Sequence, residues 1–321
     1  MATVAQELAA TLKELGVRYI FGVPSGNWID YMAAIEAVEG LDFILVASES
    51  SAGFMADVCW RLTGTVAACF GTFGPGACNL STGVCGGWLD RAPMLAFTDE
   101  MGAAMRPRIT QMNIDHQELF KPITKWTTRI SPETVRQTLY KAMQIATAEV
   151  PGPVHIGLPA DGMSLRQAVG SEPPPPPADD SLSLPDEALV EKALGLFKSA
   201  KRPLLAVGLT ATRVDVGALI RKIVDKHRLP LVLTPMAKGL LPEDHPCYAG
   251  VLAHACSDTV AKTHQQADLV VGIGFDPVEL NYEDWMPDAP LIHLDTRKAD
   301  IDLNNYTLAC DLVGDILPVL E

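Results

Sequence analysis

Short apolar runs alternate with amphipathic helical patterns along most of the chain. Residues 4–15 place Val4, Leu8 and Leu12 on one helix face, and the apolar residues 19–23 follow as a predicted strand. Short β-branched runs separated by helical stretches are typical of strand–helix–strand units, so the pattern predicts parallel sheets. The other predicted strands cover residues 43–47, 66–70, 94–98, 154–158, 204–207, 231–234, 269–273 and 291–294. The other predicted helices cover residues 50–62, 76–89, 133–148, 216–227, a stretch near 259–266, and a short segment from residue 311.

The alternation is interrupted by a run of five prolines at residues 173–177. Consecutive prolines favour an extended segment that can neither continue a helix nor join the interior of a sheet. We therefore predict an α/β protein with two doubly wound parallel-sheet domains joined by a Pro-rich linker. The predicted first domain covers residues 1–170, the linker residues 171–184, and the second, Rossmann-like domain residues 185–321.

Composition and charge exclude several classes of partner. The chain is 48% hydrophobic, which suits a packed globular protein, and 39 acidic residues against 25 basic ones give a net charge of -14. This charge repels phosphate backbones, so nucleic acid is not an expected partner. No apolar run is long enough to span a bilayer, and residues 1–15 lack the apolar centre of a signal peptide, so we expect a cytoplasmic protein without a membrane partner. The seven cysteines include no Cys-x-x-Cys pair, which favours free thiols.

Three loops that follow predicted strands hold the candidate chemistry, because open parallel sheets bind ligands beyond the carboxyl ends of their strands. They cover residues 22–27, 48–50 and 71–79. The third contains Gly71, Gly74 and Gly76, which fits either a structural turn or a close backbone approach to a ligand. It has neither the Gly-x-Gly-x-x-Gly order of a dinucleotide site nor the Gly-Lys-Ser/Thr ending of a P-loop.

Glu49 is the acidic residue of the second loop, and only small residues follow it at positions 50–53. Small neighbours leave a carboxylate open to a bound ligand, so Glu49 is a candidate for acid–base chemistry. An acid in the first turn of a helix is also favoured by the helix dipole alone. The residue by itself is compatible with both interpretations.

Several motifs follow one another in a fixed order. In the first half they are Ile-Phe-Gly-Val-Pro at 20–24, Glu49 at a helix start, Gly-Pro-Gly-Ala-Cys-Asn-Leu at 74–80, Pro-Ile-Thr-Lys-Trp at 122–126, Pro-Gly-Pro-Val at 151–154 and Leu-Pro-Ala-Asp at 158–161. In the second half they are Gly-Leu-Leu-Pro-Glu-Asp-His-Pro at 239–246, Gly-Ile-Gly-Phe-Asp-Pro-Val-Glu at 272–279 and Asp-Thr-Arg at 295–297. Together they resemble the pyrimidine-binding and middle domains of thiamine-diphosphate-dependent enzymes. The closest resemblance is to acetolactate synthase, benzaldehyde lyase and related decarboxylases.

The resemblance implies a role for each candidate residue. A glutamate at the position of Glu49 hydrogen-bonds the aminopyrimidine ring of thiamine diphosphate and favours its imino tautomer. The implied substrate is a 2-keto acid. Gln111 and His116 are alternatives for substrate contact, because Met112 stands where acetolactate synthases carry glutamine. The residues implied to line the pyrimidine pocket are Pro24, Gly26, Thr72, Gly74 and Asn79.

The chain departs from the family by containing no Gly-Asp-Gly, the motif that holds Mg²⁺ and diphosphate. We therefore expect the third, diphosphate-binding domain to be absent, the Mg²⁺ site to lie outside this chain, and the isolated chain to be inactive. The expected partners are that domain, in cis or as a separate subunit, and further copies in a dimer or tetramer. FAD is an alternative that we do not favour, since residues 250–254 match the flavin loop imperfectly. Histidine spacing predicts no metal site within the chain.

Three functions are compatible with these observations. The first is the N-terminal part of a thiamine-diphosphate-dependent decarboxylase or carboligase, a lyase or transferase in which Glu49 activates the cofactor. The second is a non-catalytic binding or regulatory protein that keeps the two-domain scaffold. The third is a nucleotide-binding electron carrier that uses the strand end at residues 272–274. Glu49 favours the first, because a scaffold without a cofactor gains nothing from a partly buried acid.

Overall fold

The structure is a computed structural model that describes residues 2–170, 175, 182–252, 261–262, 264–276, 288–301, 303 and 306–321. The chain divides into two compact units, Met1–Asp180 and Ser181–Glu321. Most of the Pro-rich segment predicted as a linker lies outside the described residues, as do His254 of the flavin-like loop and residues 277–279 of the last glycine motif.

The first unit consists of a parallel sheet with helices on both faces. Its strands are β1 (Tyr19–Gly22), β2 (Asp42–Leu45), β3 (Ala67–Gly71), β4 (Met94–Glu100), β5 (Trp126–Arg129) and β6 (Val154–Pro159). Its helices are α1 (Val4–Glu14), α2 (Ile29–Glu36), α3 (Glu49–Thr63), α4 (Pro75–Leu89), α5 (His116–Phe120) and α6 (Val135–Thr147). The six strands pair in the order β2-β1-β3-β4-β6-β5, and every pairing is parallel.

Side chains that alternate along each strand build a core on either face of this sheet. Successive residues of β1 separate in this way: Ile20 packs in one core with α1 and α6, and Phe21 packs in the other with α3 and α4. Helix α1 starts at a capping box formed by Thr3 and Gln6, which satisfies backbone donors at the helix start. The central strand β4 is buried along its whole length, as expected for a strand covered on both faces.

The second unit repeats this architecture. Its strands are β7 (Pro203–Val207), β8 (Leu231–Leu233), β9 (Tyr248–Val251), β10 (Leu269–Ile273), β11 (Leu291–Asp295) and β12 (Leu308–Val313). Its helices in the described part are α7 (Glu187–Ser199), α8 (Leu209–Arg213), α9 (Gly217–His227) and α10 (Ile316–Leu320). The strands form a parallel sheet in the order β12-β11-β10-β7-β8-β9.

The α/β class with two doubly wound parallel sheets is thus confirmed, and one predicted element is wrong. The predicted short helix from residue 311 is wrong, because Leu308–Val313 forms strand β12. Cys310 and Leu312 are buried and alternate with less buried residues, which is the period of a strand. The short helix α10 begins only at Ile316, after the N-cap Asp315.

The helices and the cysteines of the described residues bear on the expectations about membranes and thiols. Within the described part of the chain, no helix has the length and apolar character required to cross a bilayer. The six cysteines for which the structure gives positions are all free thiols.

Candidate active site

The carboxyl ends of β1 and β3 mark the point where the strand order of the first sheet reverses. The chain runs from β1 to β2 on one side and then returns to place β3 on the other side of β1. Crevices at such reversal points are the usual ligand sites of open parallel sheets. The loops after β1 and β3 and the start of α3 therefore define the candidate site.

Glu49 is the first residue of α3 and is nearly buried, with 9% of its surface exposed. One carboxylate oxygen, Oε2, accepts a hydrogen bond of 3.2 Å from Asn79 Nδ2 on α4. The other oxygen, Oε1, lies toward Gly76: a Cβ atom built on that glycine would be 3.2 Å from it. The helix N-cap, Ser48, makes no side-chain capping bond. The structure thus brings Glu49 and Asn79 together and leaves one carboxylate oxygen directed at a bare stretch of backbone.

A contact between glycines allows α3 and α4 to lie close enough for this arrangement. A Cβ on Gly83 would lie 2.4 Å from the carbonyl oxygen of Ser50 and 2.7 Å from Gly53 Cα, so neither helix tolerates a side chain there. The Ser50 hydroxyl also donates a 2.7 Å hydrogen bond to the carbonyl of Asn79. The position of Asn79 beside Glu49 therefore follows from the close helix packing.

The glycine loop after β3 has a backbone that only glycine adopts readily. Gly74, the N-cap of α4, has φ 46° and ψ -101°, and Pro75 occupies the first helical turn. A Cβ at Gly76 would lie 2.8 Å from Thr72 Cγ2 and 3.2 Å from Glu49 Oε1, so the glycine allows both side chains to pack directly against the loop backbone.

The loop after β1 holds Pro24 and Gly26, which were predicted to line the pocket. Gly26 is exposed and has open space around it, and Pro24 is partly buried. Gly26 begins a short 3₁₀ turn whose N-cap is Ser25, and the Ser25 hydroxyl accepts a hydrogen bond from Asn27 N. Open space at Gly26 is compatible with a ligand approaching its backbone.

Asp99, near the end of β4, joins the two loops and was missed by the sequence analysis. Its Oδ2 accepts hydrogen bonds from Ser25 Oγ at 2.5 Å and from Thr72 Oγ1 at 3.1 Å, and the residue is 1% exposed. The hydroxyl of Thr72 is therefore directed toward Asp99. Burial raises the pKa of Asp99 to about 6, although the hydrogen bonds from Ser25 and Thr72 lower it.

The raised pKa of Asp99 gives a pH dependence of stability that can be measured. The folded state binds this proton more tightly than the unfolded state, so the free energy of unfolding falls as pH rises from about 4 to 6 and then levels off. We expect Asp99→Asn to remove up to about 3 kcal/mol of that fall. Urea unfolding of both proteins at pH 4.5, 5.5 and 7 measures it, and equal pH slopes would show that Asp99 ionises normally.

The structure separates the two residues predicted to contact substrate. Gln111 is exposed in the loop before α5, whereas His116 is 2% exposed at the start of α5. His116 Nε2 accepts a 3.2 Å hydrogen bond from the backbone N–H of Gly74. His116 thus contacts the backbone of the glycine loop. The roles of Gln111 and His116 in substrate binding stay predictions.

One group of side chains in the described residues has the composition of a metal site. Ligand atoms of Glu100, His116 and His155 lie within 4.8 Å of one another, and all three residues are buried. Hydrogen bonds already occupy both nitrogens of each imidazole. An ion would have to displace these bonds, so the group does not overturn the expectation of no metal site.

In the second unit, the strand order reverses between β7 and β10. Gly274 follows β10 with φ 56°, and a Cβ there would lie 2.1 Å from Ala211 N of α8. This glycine accommodates the neighbouring helix of the same unit. The expectations about FAD and about a nucleotide carrier at residues 272–274 stay predictions.

Two family models match the chain. The model described as thiamine pyrophosphate enzyme, N-terminal TPP binding domain, matches residues 2–119. The model described as thiamine pyrophosphate enzyme, central domain, matches residues 190–321. The two matches fall in the first and second compact units respectively.

Several acetolactate synthases are similar to this chain. Acetolactate synthase from Bacillus subtilis is 31% identical to this chain over 97% of the chain and 55% of its own length. The large subunit of acetolactate synthase isozyme 1 from Escherichia coli is 30% identical over 99% of the chain and 58% of its own length. The chain thus spans about half the length of these relatives.

A solved structure has the same fold. An X-ray structure described as a thiamin diphosphate-dependent enzyme from Mycobacterium smegmatis superposes with a TM-score of 0.82 at 22% identity. The match covers 100% of this chain and 62% of that chain. At this identity the likeness supports the fold alone.

Proposed function

Because the chain belongs to the thiamine pyrophosphate enzyme family, with N-terminal and central domains like those of acetolactate synthases, we propose that it supplies the cofactor-activating part of such an enzyme. The complete assembly would decarboxylate a 2-keto acid. As a carboligase, it would then add the fragment that remains after decarboxylation to a second carbonyl compound. The observation that carries the proposal is the Glu49 carboxylate, which is nearly buried, held by Asn79 and packed against the backbone of Gly76 in the glycine loop.

In this proposal Glu49 exchanges a proton with the pyrimidine ring of thiamine diphosphate. When bound, the cofactor would supply a nucleophilic thiazolium carbon and, in its positively charged ring, an acceptor for the electrons released with carbon dioxide. Glu49 acts through its Oε1 beside Gly76, and Asn79 fixes the orientation of the carboxyl group through Oε2. Water is limited at this carboxylate because the first turns of α3 and α4 enclose it, which strengthens a preorganised hydrogen bond.

The other predicted pocket residues receive separate roles. Gly74 would let the ring approach the loop backbone, and Pro24 and Gly26 would border the ring from the opposite loop. Thr72 acts through Asp99, which ties the loops after β1 and β3 together. A pocket with both walls fixed before binding loses less entropy when the cofactor enters.

A partner that carries the diphosphate site completes the proposed assembly. Helix α3, which begins with Glu49, exposes apolar side chains farther along: Phe54 is 44% exposed, Val58 44% and Leu62 80%. Together with Tyr19 and neighbours they line an apolar groove of about 610 Å³. Exposed apolar surface of this kind marks interaction sites. We propose that the diphosphate-binding domain, in cis or as a separate subunit, covers this face in a cytoplasmic homodimer or tetramer.

We expect the 321-residue chain alone to bind thiamine diphosphate weakly or not at all, even with Mg²⁺ present. The diphosphate and its metal ion contribute the strongest charge interactions, and the proposal places those contacts on another domain. Titration calorimetry of the chain alone, and then with a diphosphate-binding domain added, measures the difference. Micromolar binding by the chain alone would show that the diphosphate site lies within this chain, contrary to the proposal.

A turnover assay on the reconstituted assembly distinguishes an enzyme from a non-catalytic scaffold. We expect the reconstituted assembly to release carbon dioxide from pyruvate, a simple 2-keto acid, only when thiamine diphosphate and Mg²⁺ are both present. Cofactor binding without any turnover of 2-keto acids would favour the regulatory alternative.

A further inference from the structure

A continuous chain of hydrogen bonds runs through the interior behind the glycine loop, and we call it the polar relay. It starts at the backbone N–H of Gly74 and passes through side chains on α5, β4, β6 and β5. His116 Nε2 is 3.2 Å from Gly74 N, and His116 Nδ1 is 2.9 Å from Thr98 Oγ1. The members of the relay, in order, are Gly74, His116, Thr98, His155, Thr127, Gln117 and Glu100, with Arg129 paired to Glu100.

The remaining bonds of the relay are short and mostly buried. Thr98 Oγ1 lies 2.8 Å from His155 Nε2, and His155 Nδ1 lies 2.7 Å from Thr127 Oγ1. The Thr127 hydroxyl donates to Gln117 Oε1 at 2.7 Å, and Gln117 Nε2 donates to Glu100 Oε1. His155 has no exposed surface, and Thr98 has none either. Solvent therefore cannot replace a missing member.

The chemistry of the two ends fixes the direction of every bond. A backbone N–H can only donate, so His116 Nε2 accepts from Gly74 and carries no proton. The proton of a neutral His116 is then on Nδ1 and is donated to Thr98. Thr98 has one proton, which goes to His155 Nε2, so the proton of His155 is on Nδ1 and is donated to Thr127. Each hydroxyl and imidazole accepts one bond and donates one.

This arrangement works only with both imidazoles neutral. A protonated His116 would carry a hydrogen on Nε2 and could no longer accept from Gly74. Burial lowers the pKa of His116 to about 4, against a raising effect of Asp115, and burial also lowers the pKa of His155 well below its ordinary value. The charged groups that face the relay are Glu100, Arg129 and Asp115.

The geometry points to His116 as a positioning residue that holds the glycine loop in its ligand-ready conformation. By accepting the N–H of Gly74, it fixes the residue that begins α4, and α4 carries Gly76 and Asn79 to Glu49. Thr98 sets the tautomer of His116 and so acts one step farther away. The inference rests on the proposed function, because the loop matters only if the cofactor binds there.

The test compares two replacements of His116 that differ in one property. His116→Gln keeps an acceptor that can reach the Gly74 N–H, whereas His116→Leu has similar bulk and no acceptor. Without cofactor, we expect the Gly74 amide hydrogen to exchange with solvent about 10-fold faster in the Leu variant and close to the wild-type rate in the Gln variant. In the complete assembly, the dissociation constant of thiamine diphosphate should rise about 10-fold in the Leu variant alone.

A third variant, Thr98→Val, tests the relay while leaving the His116 side chain itself in place. Loss of the Thr98 hydroxyl removes the acceptor for His116 Nδ1–H, so the Nδ1–H tautomer loses part of its advantage over the Nε2–H tautomer. We expect the Nε2–H population to rise and the Gly74 amide to exchange faster in proportion. Nitrogen-15 NMR of the histidine rings reports the tautomer directly, and it remains informative if the Leu variant does not fold.

Unchanged Gly74 exchange in both His116→Leu and Thr98→Val would overturn the relay. Faster exchange with an unchanged cofactor dissociation constant would overturn the positioning role and leave only a structural one. Failure of the proposed function has a different signature, because a Glu49 variant would then leave cofactor activation unchanged while the Gly74 and His116 readouts still responded.

Discussion

Replacing Glu49 with glutamine is expected to reduce turnover by the complete assembly about 10²- to 10⁴-fold, with little change in melting temperature. Glutamine keeps the size of the side chain and can still pair with Asn79, but it has no carboxyl proton to exchange. The loss therefore reports on acid–base chemistry. Steady-state turnover of a 2-keto acid and thermal unfolding, measured on the same preparation, separate chemistry from folding.

Glu187→Gln is the matched control for this variant. Glu187 is the first residue of α7, as Glu49 is of α3, but it is exposed on the second unit. If both acids merely complement helix dipoles, each replacement costs about 0.3–1 kcal/mol of stability and leaves turnover per folded molecule intact. We expect that pattern for Glu187 only, and the same pattern at Glu49 would contradict its catalytic role.

The second large effect is expected at the contact between α3 and α4. In Gly83→Ala, the new methyl group would lie 2.4 Å from Ser50 O and 2.9 Å from Phe54 N. Backbone atoms cannot rotate away, so the helices must separate, and overpacking of this kind typically costs about 1–3 kcal/mol. We expect a loss of that size in denaturant unfolding. Cofactor affinity of the assembly should also fall, because α3 and α4 carry Glu49 and Asn79.

Gly86→Ala, one turn farther along α4, controls for the loss of glycine from a helix. Its methyl group would meet the ring of Phe54, at 2.7 Å from Cε1, and that side chain is 44% exposed and free to turn outward. Alanine favours a helix over glycine by about 0.5–1 kcal/mol, so the net change should be near zero or stabilising. Equal losses in the two variants would show that close helix packing is not the cause.

Local sequence pattern predicted the elements that carry the candidate site with useful accuracy. Residues 50–62 and 76–89 were predicted as helices, and the structure has α3 at Glu49–Thr63 and α4 at Pro75–Leu89. The apolar periodicity and the Gly-Pro-Gly punctuation are local signals, so they survive without tertiary information. At β12 the prediction from local pattern was wrong, because the alternation of buried and less buried residues in Leu308–Val313 was taken for the start of a helix.

The relations between distant residues could not be predicted in this way. Asp99 accepts from Ser25 and Thr72, which are 74 and 27 positions away, and no local pattern encodes that meeting. The three polar residues Thr98, Asp99 and Glu100 at the end of an apolar strand were an available signal, because buried polar groups require partners. His116 was predicted as an alternative to Gln111 for substrate contact, and that role stays a prediction. Its hydrogen bond with the Gly74 N–H could not be predicted, because that bond depends on how α5 packs against the glycine loop.

The central claim is that Glu49 activates thiamine diphosphate, and the most direct measurement is deuterium exchange at the thiazolium carbon of the bound cofactor, followed by NMR. The complete assembly with the wild-type chain should exchange this proton rapidly, and the Glu49→Gln assembly should exchange it about 10²- to 10⁴-fold more slowly. Both assemblies must be saturated with cofactor so that affinity does not enter the comparison. Near-equal exchange rates in the two assemblies would contradict the account.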